Sequence, residues 1–146
     1  MLFTGSAEVS IDAKQRLAMP AKFRDRSKTE GERDIWYCVH RDDRLLQLYP
    51  ESKFLELSSK LDESLFPQAD QSRLESDFFG SVERIESDTA GRITIPRNLL
   101  EDSGLGMDVV VIGAKHKLEI RDRAAWNAGK PERIEALKKI TDARSL

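Results

Sequence analysis

Two aspartates are each followed, four residues later, by an arginine, and both pairs stand in the same local pattern. Asp12 and Arg16 precede an apolar-x-apolar-Pro segment, and so do Asp88 and Arg92. The planar fork of an arginine guanidinium can bind a phosphate or a guanine edge through two hydrogen bonds at once. A neighbouring carboxylate that orients this fork would make each pair a contact for DNA.

The same pairs also have a purely structural interpretation. An aspartate in a turn accepts hydrogen bonds from the nearby backbone, and the arginine then forms an ordinary surface ion pair with it. The residue types leave both interpretations open. Lys14 in the first turn could add a phosphate contact. The basic residues that follow, Lys22, Arg24 and Arg26, fit the solvated side of a short helix.

The two pairs belong to an internal repeat. Asp12 aligns with Asp88, and farther along Phe54 aligns with Trp126 at a slightly shorter separation. A repeat of this kind sets the architecture of a chain. We divide the chain into a first repeat, a helical linker, a second repeat and a helical tail, which are residues 3–54, 55–78, 79–126 and 127–146.

Each repeat is predicted to fold as two strands, a short helix and two more strands. Alternating apolar and polar residues mark the strands, and a proline is tolerated at the start of each helix. A unit of about 45 residues is small for a core of its own, so the two repeats are predicted to share one pseudo-dimeric α+β domain. The predicted strands are 7–11, 17–19, 35–39 and 45–49, then 82–86, 92–95, 109–112 and 117–121, and the predicted helices are 20–25 and 96–103.

The regions outside the repeats are predicted to be helical. A linking helix is predicted over 68–79, with Leu74 and Phe78 facing inward. The tail has a weaker helical pattern at Ile134, Leu137 and Thr141. These helices flank the shared domain.

Length and composition limit the function classes. The 146 residues are 39% hydrophobic and 34% charged, which is typical of globular proteins. The longest apolar runs are far shorter than the roughly 20 residues that cross a bilayer, and the N-terminus lacks the pattern of a secretory signal. We therefore expect a cytoplasmic protein with no membrane partner.

Charge is segregated along the chain although the net charge is only −2. Residues 12–28 hold six basic and two acidic side chains, whereas residues 51–77 hold three basic and seven acidic ones. This segregation suits a protein that presents one basic face to a polyanion. Solvated charged faces of proteins that bind no nucleic acid show the same pattern.

An enzyme is the interpretation with the least support. Cys38 and His40 lie two residues apart on a predicted strand and so share a face, but no third group that would orient the base is visible. His116 falls in a hairpin loop. One cysteine and two distant histidines predict neither a disulfide nor a metal site, and no P-loop, zinc-protease or hydrolase motif occurs. We expect no catalytic residue, cofactor or metal.

Four segments occur in a recognisable order along the chain. They are Phe-x-Gly at 3–5, the duplicated Asp-x-x-x-Arg-apolar-x-apolar-Pro frame at 12–20 and 88–96, Leu-x-Leu-Tyr-Pro at 46–50 and Phe-Gly-Ser at 79–81. Together they resemble the MraZ family of bacterial regulators, which are encoded with the division and cell-wall gene cluster. The halves of that family resemble the swapped-hairpin DNA-binding domain of AbrB.

The resemblance implies a double swapped-hairpin β-barrel with flanking helices, assembled into a ring-shaped homo-oligomer. It also implies a nucleoid-associated protein that recognises direct repeats in the promoter of that gene cluster, with no small-molecule substrate. The residues that it assigns to DNA contact are Arg16, Arg92 and Lys14, and those that it assigns to bracing the turns are Asp12, Asp88 and Gly91.

The first turn departs from the family pattern at one position. The family usually has glycine before the arginine, where this chain has Gln15, whereas the second turn keeps Gly91. If the turn needs a positive φ, Gln15 costs about 1–2 kcal/mol, or the turn changes shape and Arg16 points differently. Gln15 and the negative net charge motivate one alternative function, a ring-forming scaffold or protein-interaction module of the same fold with weakened DNA binding.

Overall fold

A computed structural model describes residues 2–24, 33–61 and 69–144 of the chain. Within these ranges it contains eight strands and five α-helices, so the predicted α+β class is confirmed. The strands are β1 (Ser6–Ser10), β2 (Arg16–Ala18), β3 (Ile35–Asp42), β4 (Leu45–Pro50), β5 (Glu83–Glu86), β6 (Arg92–Thr94), β7 (Asp108–Gly113) and β8 (Leu118–Asp122). The helices are α1 (Glu51–Ser59), α2 (Ala69–Phe79), α3 (Arg97–Ser103), α4 (Arg123–Ala128) and α5 (Lys130–Arg144), and Ala21–Phe23 forms a 3₁₀ turn.

The strands of the two repeats are interleaved in one antiparallel sheet. The sheet has six strands in the order β1-β7-β8-β4-β3-β5, and β2 pairs with β6 in a separate two-stranded ribbon. The strands β1 to β4 of the first repeat are equivalent to β5 to β8 of the second. If each strand is replaced by its equivalent, the same order is obtained in reverse, which is the pattern of a pseudo-twofold axis between β4 and β8. Neither repeat therefore forms a separate sheet.

The pairing registers explain why the separation of equivalent residues shortens along the repeats. Val9 pairs with Val109, and the equivalent contact in the other half joins Ile85 to Trp36. Val9 is therefore equivalent to Ile85, and Trp36 is equivalent to Val109. The first two residues are farther apart in the sequence than the second two. A bulge between His40 and Asp42 lengthens the first hairpin, which shortens the separation again between β4 and β8.

The sheet does not close into the implied β-barrel, so that part of the fold is not confirmed. Strands β1 and β5 stand at opposite ends of the sheet. Among the described residues, the ribbon reaches β1 through one isolated bridge between Ile11 and Leu17. This bridge is too short to continue the ladder around the ribbon, and no described strand pairs with the outer edge of β1 or β5.

The core lies between the ribbon and the six-stranded sheet. Leu17 from β2 and Ile93 from β6 are fully buried beside Leu46, Leu48 and Ile120 from the central strands. Because both repeats contribute to this cluster, the core belongs to the pair and not to either repeat. The shared domain that the small repeat size predicted is observed.

The helices differ in detail from the predictions. Pro20 and Pro96 precede their helical segments, but the first is only a 3₁₀ turn, and Asp25 at its predicted end lies outside the described residues. Gln68, the predicted start of the linking helix, also lies outside them. Leu74 is 65% exposed, so the prediction that it faces inward is wrong, because α2 packs through its C-terminal aromatic residues. None of the described helices is both long and apolar enough to cross a lipid bilayer.

Candidate nucleic-acid interface

The Asp12 carboxylate organises the first turn. Its Oδ1 accepts hydrogen bonds from the backbone N–H groups of Lys14 at 2.9 Å and Arg16 at 2.8 Å. Its Oδ2 accepts a third from the Arg16 Nε, also at 2.8 Å. One side chain therefore shapes the backbone and holds the guanidinium at the same time.

The second turn repeats these contacts. Asp88 Oδ1 accepts from the N–H groups of Ala90 at 2.9 Å and Arg92 at 2.8 Å, and Oδ2 accepts from Arg92 Nε at 2.8 Å. The backbone N–H of each aspartate also donates to the carbonyl of its arginine. The two turns are thus equivalent in their hydrogen bonds, in spite of different residues between the aspartate and the arginine.

Both aspartates are held in the ionised form. The backbone N–H of Arg16 lowers the pKa of Asp12 below its ordinary value, and the Arg16 side chain and Lys14 N–H act in the same direction. The pKa of Asp88 is lowered for the same reasons by Arg92 and Ala90. A carboxylate that is charged at neutral pH can keep orienting the guanidinium.

The ion pair leaves the outer end of each guanidinium open. Each aspartate bonds the Nε, and among the described residues the terminal amino groups of Arg16 and Arg92 have no hydrogen-bond partner. The two arginine side chains are 30% and 39% exposed. The structural and functional interpretations are therefore compatible, because the aspartate completes the turn while the pair of Nη groups stays available.

Strand pairing brings the two arginines to one surface. In the β2–β6 ribbon Arg16 lies opposite Thr94, and Arg92 lies opposite Ala18. The alternate residues Leu17 and Ile93 point into the core, so the arginines point outward together. Diagonal neighbours of this kind have Cα atoms about 7–8 Å apart, and a two-stranded ribbon fits the major groove of B-DNA.

The first turn keeps its shape with a non-glycine residue. Gln15 has φ of 65° and Gly91 has φ of 80°, so both positions are left-handed. Gln15 therefore accepts the strain of about 1–2 kcal/mol. The alternative, that the turn changes shape and Arg16 points differently, is wrong, because Arg16 has the same aspartate contacts as Arg92.

Gly91 has a second role that the sequence did not reveal. A Cβ placed on Gly91 would lie 2.6 Å from Cζ of Arg24, whose Nε donates to the carbonyl of Met19 at 3.0 Å. Arg24 from the first repeat therefore rests on the turn of the second repeat. Its role is more specific than the predicted solvated side of a helix, and no local pattern indicates it, because the two residues meet through the ribbon.

The other predicted basic residues separate into two groups. Lys14 is exposed, and its ammonium makes no ion pair within the described ranges. Lys22 donates to the carbonyl of Ser6 at 2.8 Å and lies over the Phe23 ring, so it braces the N-terminal segment. Arg26 lies outside the described residues.

Comparison with known proteins identifies the family of the chain. The model of the MraZ protein family matches residues 2–76 and 78–145. The chain belongs to the MraZ family. Three relatives named transcriptional regulator MraZ illustrate the similarity. The relative from Alcanivorax borkumensis is 32% identical over 86% of this chain and 86% of its own length. Those from Desulforamulus reducens and Pseudomonas savastanoi are 33% and 30% identical over 86% and 94% of this chain, and 85% and 91% of theirs.

The names of these MraZ relatives are those of regulators and not of enzymes, and the one candidate catalytic pair agrees with that. Cys38 is fully buried, and burial raises the pKa of its thiol to about 12. His40 is exposed, and its Nε2 lies 3.0 Å from the carbonyl oxygen of Asp42. A buried, protonated thiol beside a surface imidazole cannot act as an activated nucleophile.

Proposed function

We propose that this MraZ-family chain is a sequence-specific DNA-binding regulator of transcription that inserts the β2–β6 ribbon into the major groove. The observation that carries the proposal is the pair of equivalent Asp–Arg turns, whose open Nη groups share one outward face. The relatives are named transcriptional regulators, which supports the proposal.

Each side chain then has a chemical role. Arg16 and Arg92 present paired donors to guanine edges, which accept at O6 and N7. Asp12 and Asp88 bind the Nε of each arginine, so little side-chain freedom is lost on contact with a base. In this proposal Lys14 and Arg24 contact phosphates, which adds affinity without sequence information.

We further propose that the operator consists of direct repeats in the promoter of the division and cell-wall gene cluster, and that protomers form a nucleoid-associated ring. Successive ribbons on a head-to-tail ring have the same orientation, as direct repeats require. In this proposal the repeats 3–54 and 79–126 form the interleaved DNA-binding domain. The linker 55–78 and the tail 127–146 then serve assembly.

A titration tests the DNA-binding role directly. A labelled duplex from upstream of the gene for this chain is compared with a scrambled duplex of equal composition, over a series of salt concentrations. We expect specific binding at least about 1,000-fold tighter than binding to the scrambled duplex, with a steep salt dependence. The double substitution Arg16→Ala/Arg92→Ala should abolish the preference. Arg73→Ala, at an exposed arginine of α2, is the matched control.

The scaffold function is the second candidate, and the acidic helices α1 and α2 favour it. They carry five acidic against two basic side chains, which opposes contact with a polyanion on that side of the molecule. No binding to either duplex at low salt, from a chain that still assembles, would establish the scaffold and reject the DNA-binding proposal.

A further inference from the structure

An apolar groove lies between α1, α2 and the end of β4. Its volume is about 770 Å³, and its apolar lining includes Tyr49, Phe54, Leu57, Leu61, Leu74 and Phe79. One of the aromatic lining residues, Phe54, stacks on Tyr37 outside the groove, at 4.4 Å between ring centroids. Three leucines stay open to solvent, with exposures of 37% for Leu57, 44% for Leu61 and 65% for Leu74. A patch of this kind on a globular protein marks an interaction surface.

A second apolar surface lies on α5. This helix of 15 residues has no buried residue. Ile134, Leu137 and Ile140 recur every third residue and are 46%, 61% and 51% exposed. Residues at this spacing share a helix face, and the three span about 9 Å along the axis. We call these three residues the α5 stripe, and helices that dock in grooves also present apolar residues three apart.

The charges around the two surfaces are complementary. Glu75 lines the groove and makes no ion pair among the described residues. The helix α5 carries five basic and three acidic side chains, and Lys138 and Lys139 beside the stripe make no ion pair within the described part of the chain. Arg41 also lines the groove, so the charge difference lies in the helices that form it: α1 and α2 carry five acidic and two basic side chains. A net acidic pair of helices and a net basic helix attract each other and favour a defined orientation.

The two surfaces lie on different halves of the sheet. The helix α1 packs against β3 and β4, whereas α4, which leads into α5, packs against β7 and β8. The described residues that line the groove include none from α5. Neither surface therefore covers the other within one protomer, and each protomer can donate one surface and accept the other.

We propose that α5 of one protomer docks with its Ile134–Leu137–Ile140 stripe in the α1–α2 groove of a second copy of this chain. The contact is head-to-tail, so it closes into a ring or continues as a filament. It rests on the assembly part of the proposed function and identifies the surfaces that make it. The β2–β6 ribbon takes no part and remains free.

Complementation between two variants tests the contact in the full-length chain. Leu74→Lys places a cation in the groove, and Leu137→Lys interrupts the stripe. Lysine has nearly the helix propensity of leucine, so both exposed sites should tolerate it. Leu55→Lys is the matched control, because Leu55 is 55% exposed on α1 but does not line the groove. Mass is measured by light scattering at micromolar concentration, and circular dichroism checks the fold.

We expect the unmodified chain and Leu55→Lys to assemble beyond a dimer, and each of the two surface variants to have the single-chain mass of 16.6 kDa. An equimolar mixture of the two variants should give a dimer and nothing larger, because one intact groove then meets one intact stripe. A monomeric unmodified chain, a surface variant that keeps the full assembly, or a mixture that stays monomeric would overturn the proposal.

DNA binding by the same variants separates the two proposals. Each monomeric variant should bind a duplex with one repeat as the unmodified chain does, and should lose the gain in affinity from several repeats. If the two substitutions abolish assembly but the unmodified chain binds no DNA, the regulator proposal is rejected and the proposed contact is kept. Tight binding by a chain whose assembly ignores both substitutions rejects the contact and keeps the regulator.

Discussion

The two Asp–Arg turns have the same hydrogen bonds but different surroundings. Each aspartate accepts from two backbone N–H groups and from the arginine Nε, at the same distances of 2.8 Å and 2.9 Å in both turns. The first turn has Gln15 in the left-handed position and Lys14 beside it, whereas the second has Gly91 and Ala90. The aspartate therefore determines the shape of the turn, and glycine is not required for it.

The difference between the turns shows what Gly91 does in addition. The absence of a side chain there makes room for the Arg24 guanidinium, which arrives from the other repeat. The second turn has one basic residue, Arg92, where the first turn has Lys14 and Arg16, and the fold brings Arg24 of the first repeat against it. Each turn thus has two cationic side chains close to it, Lys14 and Arg16 at the first and Arg24 and Arg92 at the second.

Replacing each arginine by lysine should have the largest effect on DNA binding. The equal geometry of the turns predicts equal losses for Arg16→Lys and Arg92→Lys, about 1–3 kcal/mol of base discrimination each, because an ammonium cannot form the paired contact. Titration against single-base operator variants measures the loss. A much larger loss for Arg92→Lys would mean that Gln15 does reorient its arginine.

Alanine at the two left-handed positions should separate the roles of Gly91 and Gln15. Gly91→Ala introduces the strain of a positive φ, about 1–2 kcal/mol of unfolding free energy, and displaces Arg24. Gln15→Ala keeps the strain that is already present and should change stability by less than about 0.5 kcal/mol. Urea unfolding measures both. Equal effects of the two substitutions would contradict the left-handed strain assigned to a side chain at position 91.

Removing the strain from the first turn should stabilise the chain. Gln15→Gly relieves about 1–2 kcal/mol of left-handed strain and adds about 0.5–1 kcal/mol of unfolded-state entropy, which leaves a net gain of about 0.5–1 kcal/mol. Operator binding should not change, because Asp12 still holds Arg16. A loss of stability in urea unfolding would show that the Gln15 side chain makes a compensating contact.

Exchanging the lysine between the turns should shift only the phosphate contribution. Lys14→Ala is expected to reduce the slope of log K against log salt by about one unit on operator and random DNA alike. Ala90→Lys, at the equivalent position of the second turn, should raise that slope by about the same amount. If Lys14→Ala weakens operator binding alone, Lys14 contacts a base.

Lowering the pH should have the smallest effect on the free energy of unfolding, because both carboxylates are solvent-exposed. Folding lowers the pKa of Asp12 and Asp88, so their contribution to stability is complete above the unfolded pKa of about 3.9 and is lost as pH falls through the folded pKa. Asp12→Asn and Asp88→Asn should each reduce the dependence of the unfolding free energy on pH in the acid range, by equal amounts. Urea unfolding at several pH values below about 4 provides the comparison. Unequal reductions would show that the turns differ in solution.

Much of the candidate site follows from local sequence. The spacing of Asp12 and Arg16 lets one carboxylate bond both the backbone and the guanidinium of a single short turn, and such contacts need no distant partner. Alternation of apolar residues likewise indicated the strands. Leu74 was predicted wrongly because a helical pattern gives the apolar face of a helix but not the partner that covers it.

The sequence by itself determined the repeat, the two turns, the strand positions and the requirement for a shared core. Only the tertiary structure decided the strand order β1-β7-β8-β4-β3-β5, the open sheet and the common face of the two arginines. It also decided that Arg24 rests on Gly91, which is distant in the chain and belongs to the other repeat. The reason is physical: turns are closed by hydrogen bonds between near neighbours, whereas strand partners are selected by how two small repeats bury their apolar faces against each other.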